Sequence, residues 1–334
     1  MSAPEARCGS LPGRAAARAG DELKPFLVVN PRSANGVTAR HFDGIAQAVR
    51  GAVGEVRHAF TDRAMHAAEL TRSALREGCD LIIAAGGDGT LNEVVNGFFE
   101  PARPGEPARP VRPQAALALL PRGTGGDFRR SIGLDGDLLR CAGRLKGAAA
   151  PVDIGRVDYT ADDGTEASRY FINVGEVGVG ARVVAIANRS SKWMGGKATF
   201  MVASLRALAG WRDLRVRASF DGAPAEDLSV TTLAIANGKF FGGGMMVAPE
   251  ARLDDGQFHV TIWSGYGLSD FVFKSGSMYD GSHVKLKGTR TLTARTVRLD
   301  PADQQTAEVE VDGERLGRLP ASFTLLPGAL QLVR

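Results

Sequence analysis

The chain has 334 residues, of which 42 are glycine and 44% are hydrophobic, and it carries a formal net charge of +4. This length buries a large core and usually makes two domains, and the apolar content, with no G-x-y period, excludes a fibrous or wholly disordered protein. Glycine in such excess serves backbone geometry, in tight turns or where a ligand approaches closely.

Residues 1–24 are rich in Ala, Arg and Gly without a continuous apolar segment, which predicts a disordered extension rather than a signal peptide. From Lys24 onward short apolar strands alternate with helical stretches. A strand at 26–29 ends in Asn30-Pro31-Arg32-Ser33, followed by a helix over 38–51, a strand near 55–60, a helix over 64–77 and a strand at 81–85. The segment 86–97 (GGDGTLNEVVNG) then turns into a helix over about 91–99. This order predicts a parallel sheet with helices on its faces. Residues 100–113 hold five prolines and repeat PARP, which predicts a stiff, extended surface loop. A strand at 115–120 leads into LPRGTGGDF (120–128), a second glycine loop with Asp127 as the expected N-cap of the next helix.

Beyond about residue 150 short alternating strands take over, at 152–159, 168–174, 214–220, 228–236, 257–263 and 306–311. Helices interrupt them near 181–190, 197–209 and 267–280. The pattern predicts an antiparallel sandwich or barrel and a domain boundary near 150. The last segment, 323–333, reads as one or two strands that could close either domain.

Charge is uneven along the chain. Residues 101–150 hold nine Lys/Arg against four Asp/Glu, and 189–217 hold seven against one. Such regions suit phosphates or an anionic membrane surface, or are solvated helix faces. No aromatics interleave with them regularly, so nucleic acid is not a predicted partner. Cys8, Cys79 and Cys141 stand far apart, which argues for a reducing compartment and against a disulfide or zinc scaffold. No apolar run approaches the roughly 20 residues that cross a bilayer, so any predicted membrane contact is peripheral.

Both glycine loops sit between a strand and a helix, where backbone N–H groups are free to meet an anion. Two such loops at strand ends of one sheet would flank a single crevice. Asp88 inside the first loop would repel a phosphate unless a divalent cation lay between them. The competing local reading is structural: Thr90-x-x-Glu93 is a capping-box pattern, and Asp-Gly is common in turns.

GGDGTLNEVVNG followed by LPRGTGGDF resembles the diacylglycerol-kinase catalytic-domain family of lipid kinases, related to sphingosine kinases. The likeness covers roughly residues 25–334 and includes Asn30–Ser33, Thr61 before His66–Leu70, Phe171–Gly175, Ala236–Gly238, Ala248–Glu250, Leu253–Gly256, Val311–Glu314 and Pro327–Ala329. It implies an α/β protein of two domains. One is a nucleotide-binding domain of the NAD-kinase and phosphofructokinase type over 25–150, completed by 321–334; the other is a β-sandwich lipid domain over 151–320. It also implies ATP- and Mg²⁺-dependent transfer of a γ-phosphate to a lipid hydroxyl at a membrane surface, in the cytoplasm or at the inner membrane face, with a homodimer left open. By the family pattern Asn30, Pro31, Arg32, Ser33, Ala34, Thr61, Gly87, Asp88, Gly89, Thr90, Leu91, Asn92, Glu93 and Thr124 contact ATP or its metal. Asp255, with the main chain near Arg252 and Gln257, matches a second metal site, and Glu314 with Asp312 matches the catalytic carboxylates alongside Asp88.

Three positions depart from that pattern. Ala34 stands where the family usually has Gly, Gly126 where it has Asn, and Asn35 where a basic residue is common; Lys192 or Lys197 would then supply the missing charge. Trp193, Met194, Phe200 and Met201, or Phe271, Val272, Phe273 and Met278, either line an acceptor groove or pack in the core. The alternative functions are an NAD-kinase-like phosphotransferase and an ATP-sensing module without turnover.

Overall fold

The computed structural model describes residues 23–101, 103–123, 126–189 and 196–334. Thr124, Lys192, Trp193 and Met194 lie outside the described residues, as do the side chains of Lys197 and Phe200 and nearly all of the predicted N-terminal extension. The first half runs β1 (Pro25–Val29), α1 (Val37–Arg40), α2 (Phe42–Val53), β2 (Arg57–Phe60), α3 (His66–Arg76), β3 (Leu81–Gly86), α4 (Asp88–Gly97), β4 (Ala116–Pro121), α5 (Asp127–Ser131) and α6 (Leu138–Gly143). Its strands pair in parallel in the order β4-β3-β1-β2. β3 (LIIAAG) is buried at every residue, as a parallel strand covered on both faces must be.

The second half runs β5 (Ala149–Thr160), β6 (Glu166–Phe171), β7 (Val174–Gly178), α7 (Val179–Arg189), α8 (Gly196–Leu208), β8 (Leu214–Phe220), β9 (Glu226–Val230), β10 (Thr232–Ala236), β11 (Phe240–Phe241) and β12 (Met245–Met246). It continues with β13 (Phe258–Trp263), α9 (Leu268–Asp280), β14 (Thr289–Ala294), β15 (Thr296–Pro301), β16 (Glu308–Val311) and β17 (Glu314–Val333). These strands pair antiparallel around a second core that includes Val157, Phe171, Val216, Leu233, Val260 and Phe323.

One strand threads both cores. β17 pairs antiparallel with β16, β15 and β5, then parallel with β4 through Gln331↔Ala116 and Leu332↔Leu117. Phe323 and Leu325 lie in the second core, while Leu330, Leu332 and Val333 lie in the first. A single 20-residue strand therefore joins the parallel sheet to the antiparallel one.

Several local expectations need correcting. α4 begins at Asp88, earlier than 91, because Gly87 is already the extended N-cap residue. Asp127 is the first residue of α5 and not its N-cap; Gly126 holds that position with a left-handed φ of 65°, which a glycine tolerates. The proline-rich segment folds back instead of extending: Glu100 and Val111 donate backbone hydrogen bonds to Arg109 and Phe98, and the Arg156 guanidinium donates to the Arg103 and Glu106 carbonyls. β14, β15 and the β11–β12 hairpin were not anticipated, since their alternation is short and carried by few apolar residues.

α3 and α4 pack at a contact that requires Gly97. A Cβ there would stand 2.5 Å from Thr71 Cβ and 2.6 Å from the Ala68 carbonyl oxygen. Gly97→Ala is expected to destabilise the fold by roughly 1–3 kcal/mol through overpacking, read as a lowered urea midpoint at unchanged m-value.

Candidate active site

Four chain segments converge at the carboxyl edge of the parallel sheet. Asn30 leaves β1, and its Nδ2 donates to Thr90 Oγ1 at 2.9 Å, while its Oδ1 accepts the Arg32 N–H at 3.0 Å. The turn that follows holds Ala34, Asn35 and Gly36 at φ of 52°, 56° and 81°. Left-handed backbone at residue 34 is a conformation that glycine adopts most easily, and here an alanine takes it. Pro31, Arg32 and Ser33 form the start of that turn, and buried Thr61 follows β2, its N–H bonded to the Val29 carbonyl at 2.9 Å.

The two glycine loops touch backbone to backbone. A Cβ on Gly123 would stand 2.6 Å from the Cα of Gly87. Asp88 links the loops as well: its carboxylate accepts the N–H groups of Asp127 at 3.0 Å and Phe128 at 3.4 Å, and so caps α5. Asp127 in turn accepts from Gly243 N–H and from the Arg130 guanidinium, each at 2.9 Å, tying the glycine turn of the β11–β12 hairpin to the site. Burial pushes the Asp127 carboxyl up to about 6, and the neighbouring charge of Asp88 adds to that. α4 has no side-chain N-cap, so the anion-binding character of its N-terminus is retained. The capping-box reading of Thr90 and Glu93 is wrong: Thr90 accepts from Asn30, and Glu93 Oε2 accepts the Ala67 N–H at 3.1 Å, at the start of α3.

From the other side comes the turn between β16 and β17. Asp312, at φ 50°, is buried, and its two oxygens accept four hydrogen bonds: Asn92 Nδ2 at 2.9 Å and the N–H groups of Ile172, Asn173 and Val174 at 3.0, 2.9 and 3.1 Å. Burial raises its carboxyl, opposed by those donors. Asn92 is equally committed, to Asp312, the Tyr170 carbonyl and Arg169, and Leu91 is core. The neighbouring Glu314 is exposed, and a Cβ on Gly89 would stand 2.9 Å from its Oε1. Its carboxylate thus lies against the first turn of α4.

Arg169 was not singled out from sequence, because one arginine in an alternating strand carries no signal. Its guanidinium is largely buried, which lowers its pKa, while the nearby charges of Glu314, Glu93 and Asp312 oppose that fall. It supplies the positive charge among those acids.

The second set of metal candidates lies elsewhere. Asp255 bonds to His259 Nε2 at 2.9 Å and to the Gln257 N–H at 3.3 Å, whereas Arg252 pairs with Asp254 at 3.5 Å. Among the described residues, no three His, Cys, Asp or Glu side chains converge into a cage. Asp88 with Asp127 beside it still fits a magnesium ion, which typically takes one or two carboxylates and completes its shell with phosphate oxygens and water.

Behind Glu314 lies a second acidic feature that sequence reading missed. Glu176 on β7 and Glu310 on β16 are directly opposed cross-strand neighbours, both buried. Glu176 Oε1 accepts the Gly180 N–H at 2.8 Å and Thr232 Oγ1 at 3.3 Å. It lines an apolar cavity of about 70 Å³ with Val179, Val183, Leu208, Trp263 and Phe271. α7, α8 and α9 meet around that cavity. Of the apolar candidates, Phe271 and Met278 face it, whereas Val272 and Phe273 are exposed.

The chain matches two family models, the diacylglycerol kinase catalytic domain over residues 24–157 and the YegS C-terminal NAD kinase beta sandwich-like domain over 173–334. It is 30% identical to a diacylglycerol kinase of Bacillus subtilis (strain 168) over 306 residues, covering 90% of this chain and 92% of that protein. It is also 30% identical to a Pseudomonas aeruginosa protein named "Probable lipid kinase YegS-like" over 297 residues, covering 85% and 88%. A crystal structure of a Bacillus anthracis diacylglycerol kinase shares the fold at a TM-score of 0.66 and 21% identity, covering 93% of this chain and 96% of that one. The protein belongs to the diacylglycerol kinase catalytic-domain family of lipid kinases, with a YegS-like C-terminal β-sandwich. Membership of a kinase family implies use of ATP.

Two predictions follow from this geometry. Gly123→Ala is expected to separate the two loops and raise KM for ATP roughly tenfold or more, equivalent to about 1.4 kcal/mol, with the circular dichroism unchanged. Burial pushes the Glu176 carboxyl up to about 7 and holds Glu310 well above the glutamate range, the nearby Glu176 charge adding to it. The folded chain then retains protons that the unfolded chain has released, so stability falls as pH rises from about 4.5 through 7. Glu310→Gln should flatten that fall, and a wild-type-like pH slope of Tm would refute it.

Proposed function

We propose that this protein transfers the γ-phosphoryl group of ATP to the hydroxyl of a diacylglycerol-type lipid, with Glu314 as the general base. The observation that carries this reading is the Glu314 carboxylate against Gly89, beside two touching glycine loops at the open N-terminus of α4.

The nucleotide phosphates would lie along Gly87–Gly89 and Gly123, where backbone N–H groups replace their water. Asp88, with Asp127 beside it, would hold magnesium, whose chemistry there is to neutralise phosphate charge. Glu314 would take the proton from the acceptor hydroxyl as its oxygen attacks the γ-phosphorus, the bond from that phosphorus to the β–γ bridging oxygen breaks, and ADP leaves. Its exposure suits that role, because an acceptor hydroxyl can reach an exposed carboxylate. Asp312 and Asn92 are positioning residues in this scheme, holding the turn that carries Glu314. Arg169 lies close enough to Glu314 for the two charges to interact. The apolar cavity below Glu176 would take part of the lipid chain.

The reading is tested with γ-labelled ATP, Mg²⁺ and a panel of diacylglycerol, phosphatidylglycerol, sphingosine, ceramide and NAD. Label in diacylglycerol supports it, label in NAD alone supports an NAD-kinase-like enzyme, and ATP binding without transfer supports a sensor. Glu314→Gln should lower kcat by about 10²–10⁴-fold, the usual contribution of a general base, with little change in KM for ATP. Full activity in that variant would remove Glu314 from the role.

A further inference from the structure

Five large apolar side chains are exposed among the described residues, and three of them lie on one helix: Leu268 at 42%, Val272 at 53% and Phe273 at 86%. Scattered single apolar residues on a surface need no explanation. These three are not scattered, since α9 is only 13 residues long. The same helix turns Phe271 and Met278 to the apolar cavity on its other side, so a wall one helix thick separates exposed apolar side chains from the cavity.

Basic residues flank this helix. The chain after α9 doubles back along it: Gly288 packs against Ser264 and Tyr266, just before the helix begins. That return carries Lys285 and Lys287, both exposed. α8 packs on α9 through Ala203, Ala207 and Leu208, and Arg206 and Arg212, at its end and just beyond it, are exposed. None of these four cations has an acid partner among the described residues. On α9 itself Asp270 is neutralised by Lys274 at 2.6 Å, which leaves Asp280 as its other acid.

We propose that α9 docks on an anionic lipid bilayer, with Leu268, Val272 and Phe273 entering the acyl boundary and Arg206, Arg212, Lys285 and Lys287 meeting the headgroups. An amphipathic helix with aromatic and aliphatic residues on one face and cations around it lies in the membrane interface in this way. The occupant is a bilayer and not a partner protein because α9 also walls the cavity assigned above to the lipid chain; the proposal rests on that lipid-kinase reading. A substrate would then leave the bilayer at the helix that borders its binding cavity.

The test pairs vesicle binding with two forms of substrate. Phe273→Asp changes an exposed side chain outside the cavity, so the fold and the site are kept. It should weaken co-sedimentation with phosphatidylcholine–phosphatidylglycerol vesicles roughly tenfold or more, as expected on withdrawing an aromatic ring from an apolar phase. Phosphorylation of diacylglycerol in those vesicles should fall in parallel, while turnover of a dispersed short-chain diacylglycerol stays at the wild-type level. Replacing Arg206, Arg212, Lys285 and Lys287 together by Gln should abolish the preference for phosphatidylglycerol over phosphatidylcholine alone. Wild-type vesicle binding by Phe273→Asp overturns the proposal. So does loss of a concentration-dependent dimer in that variant with vesicle binding intact, which would assign the face to a second copy of this chain. Vesicle binding that depends on Phe273, without phosphorylation of any lipid by the wild type, would sink the kinase reading and leave the docking surface standing.

Discussion

A buried carboxylate holds the two halves of this molecule in register. Asp312 takes one hydrogen bond from Asn92 on α4 and three from the backbone at 172–174. Those donors come from the parallel half and from the segment entering β7, and the acceptor sits on the turn before β17. A buried ion is tolerated only when its hydrogen-bonding capacity is filled, and here each half supplies part of the filling. Separating the halves would take the Asn92 donor from that carboxylate, so the position of Glu314, two residues on, is tied to the position of α4.

The same economy governs the glycine loops. Backbone contact between Gly87 and Gly123 leaves no room for a side chain, and Asp88 reaches across to cap α5. The acid inside the first glycine loop thus has a structural role of its own, as the cap of α5. Its partner Asp127 is joined to the turn at Gly243, so the glycine-loop edge of the parallel sheet is connected to the β-sandwich through Asp127 as well as through Asp312.

Much of the framework around the candidate site was readable from local pattern. Short apolar runs alternating with helical stretches announce a parallel sheet, and glycine loops at strand ends announce a crevice, because both depend on residues close in sequence. What local pattern misreads is the destination of polar side chains. Glu93 looks like part of its own helix's cap and instead serves α3; Asp127 looks like a cap and is itself the first residue of a helix capped by Asp88. A carboxylate bonds to whatever N–H the fold brings near, and that neighbour is distant in sequence.

The sequence alone determined the glycine excess, its placement in two strand–helix loops, and the change from parallel to antiparallel texture near residue 150. These are properties of short segments, set by backbone freedom and side-chain periodicity. Only the tertiary structure decided that β17 belongs to both cores, that Glu176 and Glu310 face each other under α7, and that Phe271 turns inward while Phe273 turns out. Strand register and helix rotation are fixed by the packing of the whole chain, and a neighbouring residue carries no record of them.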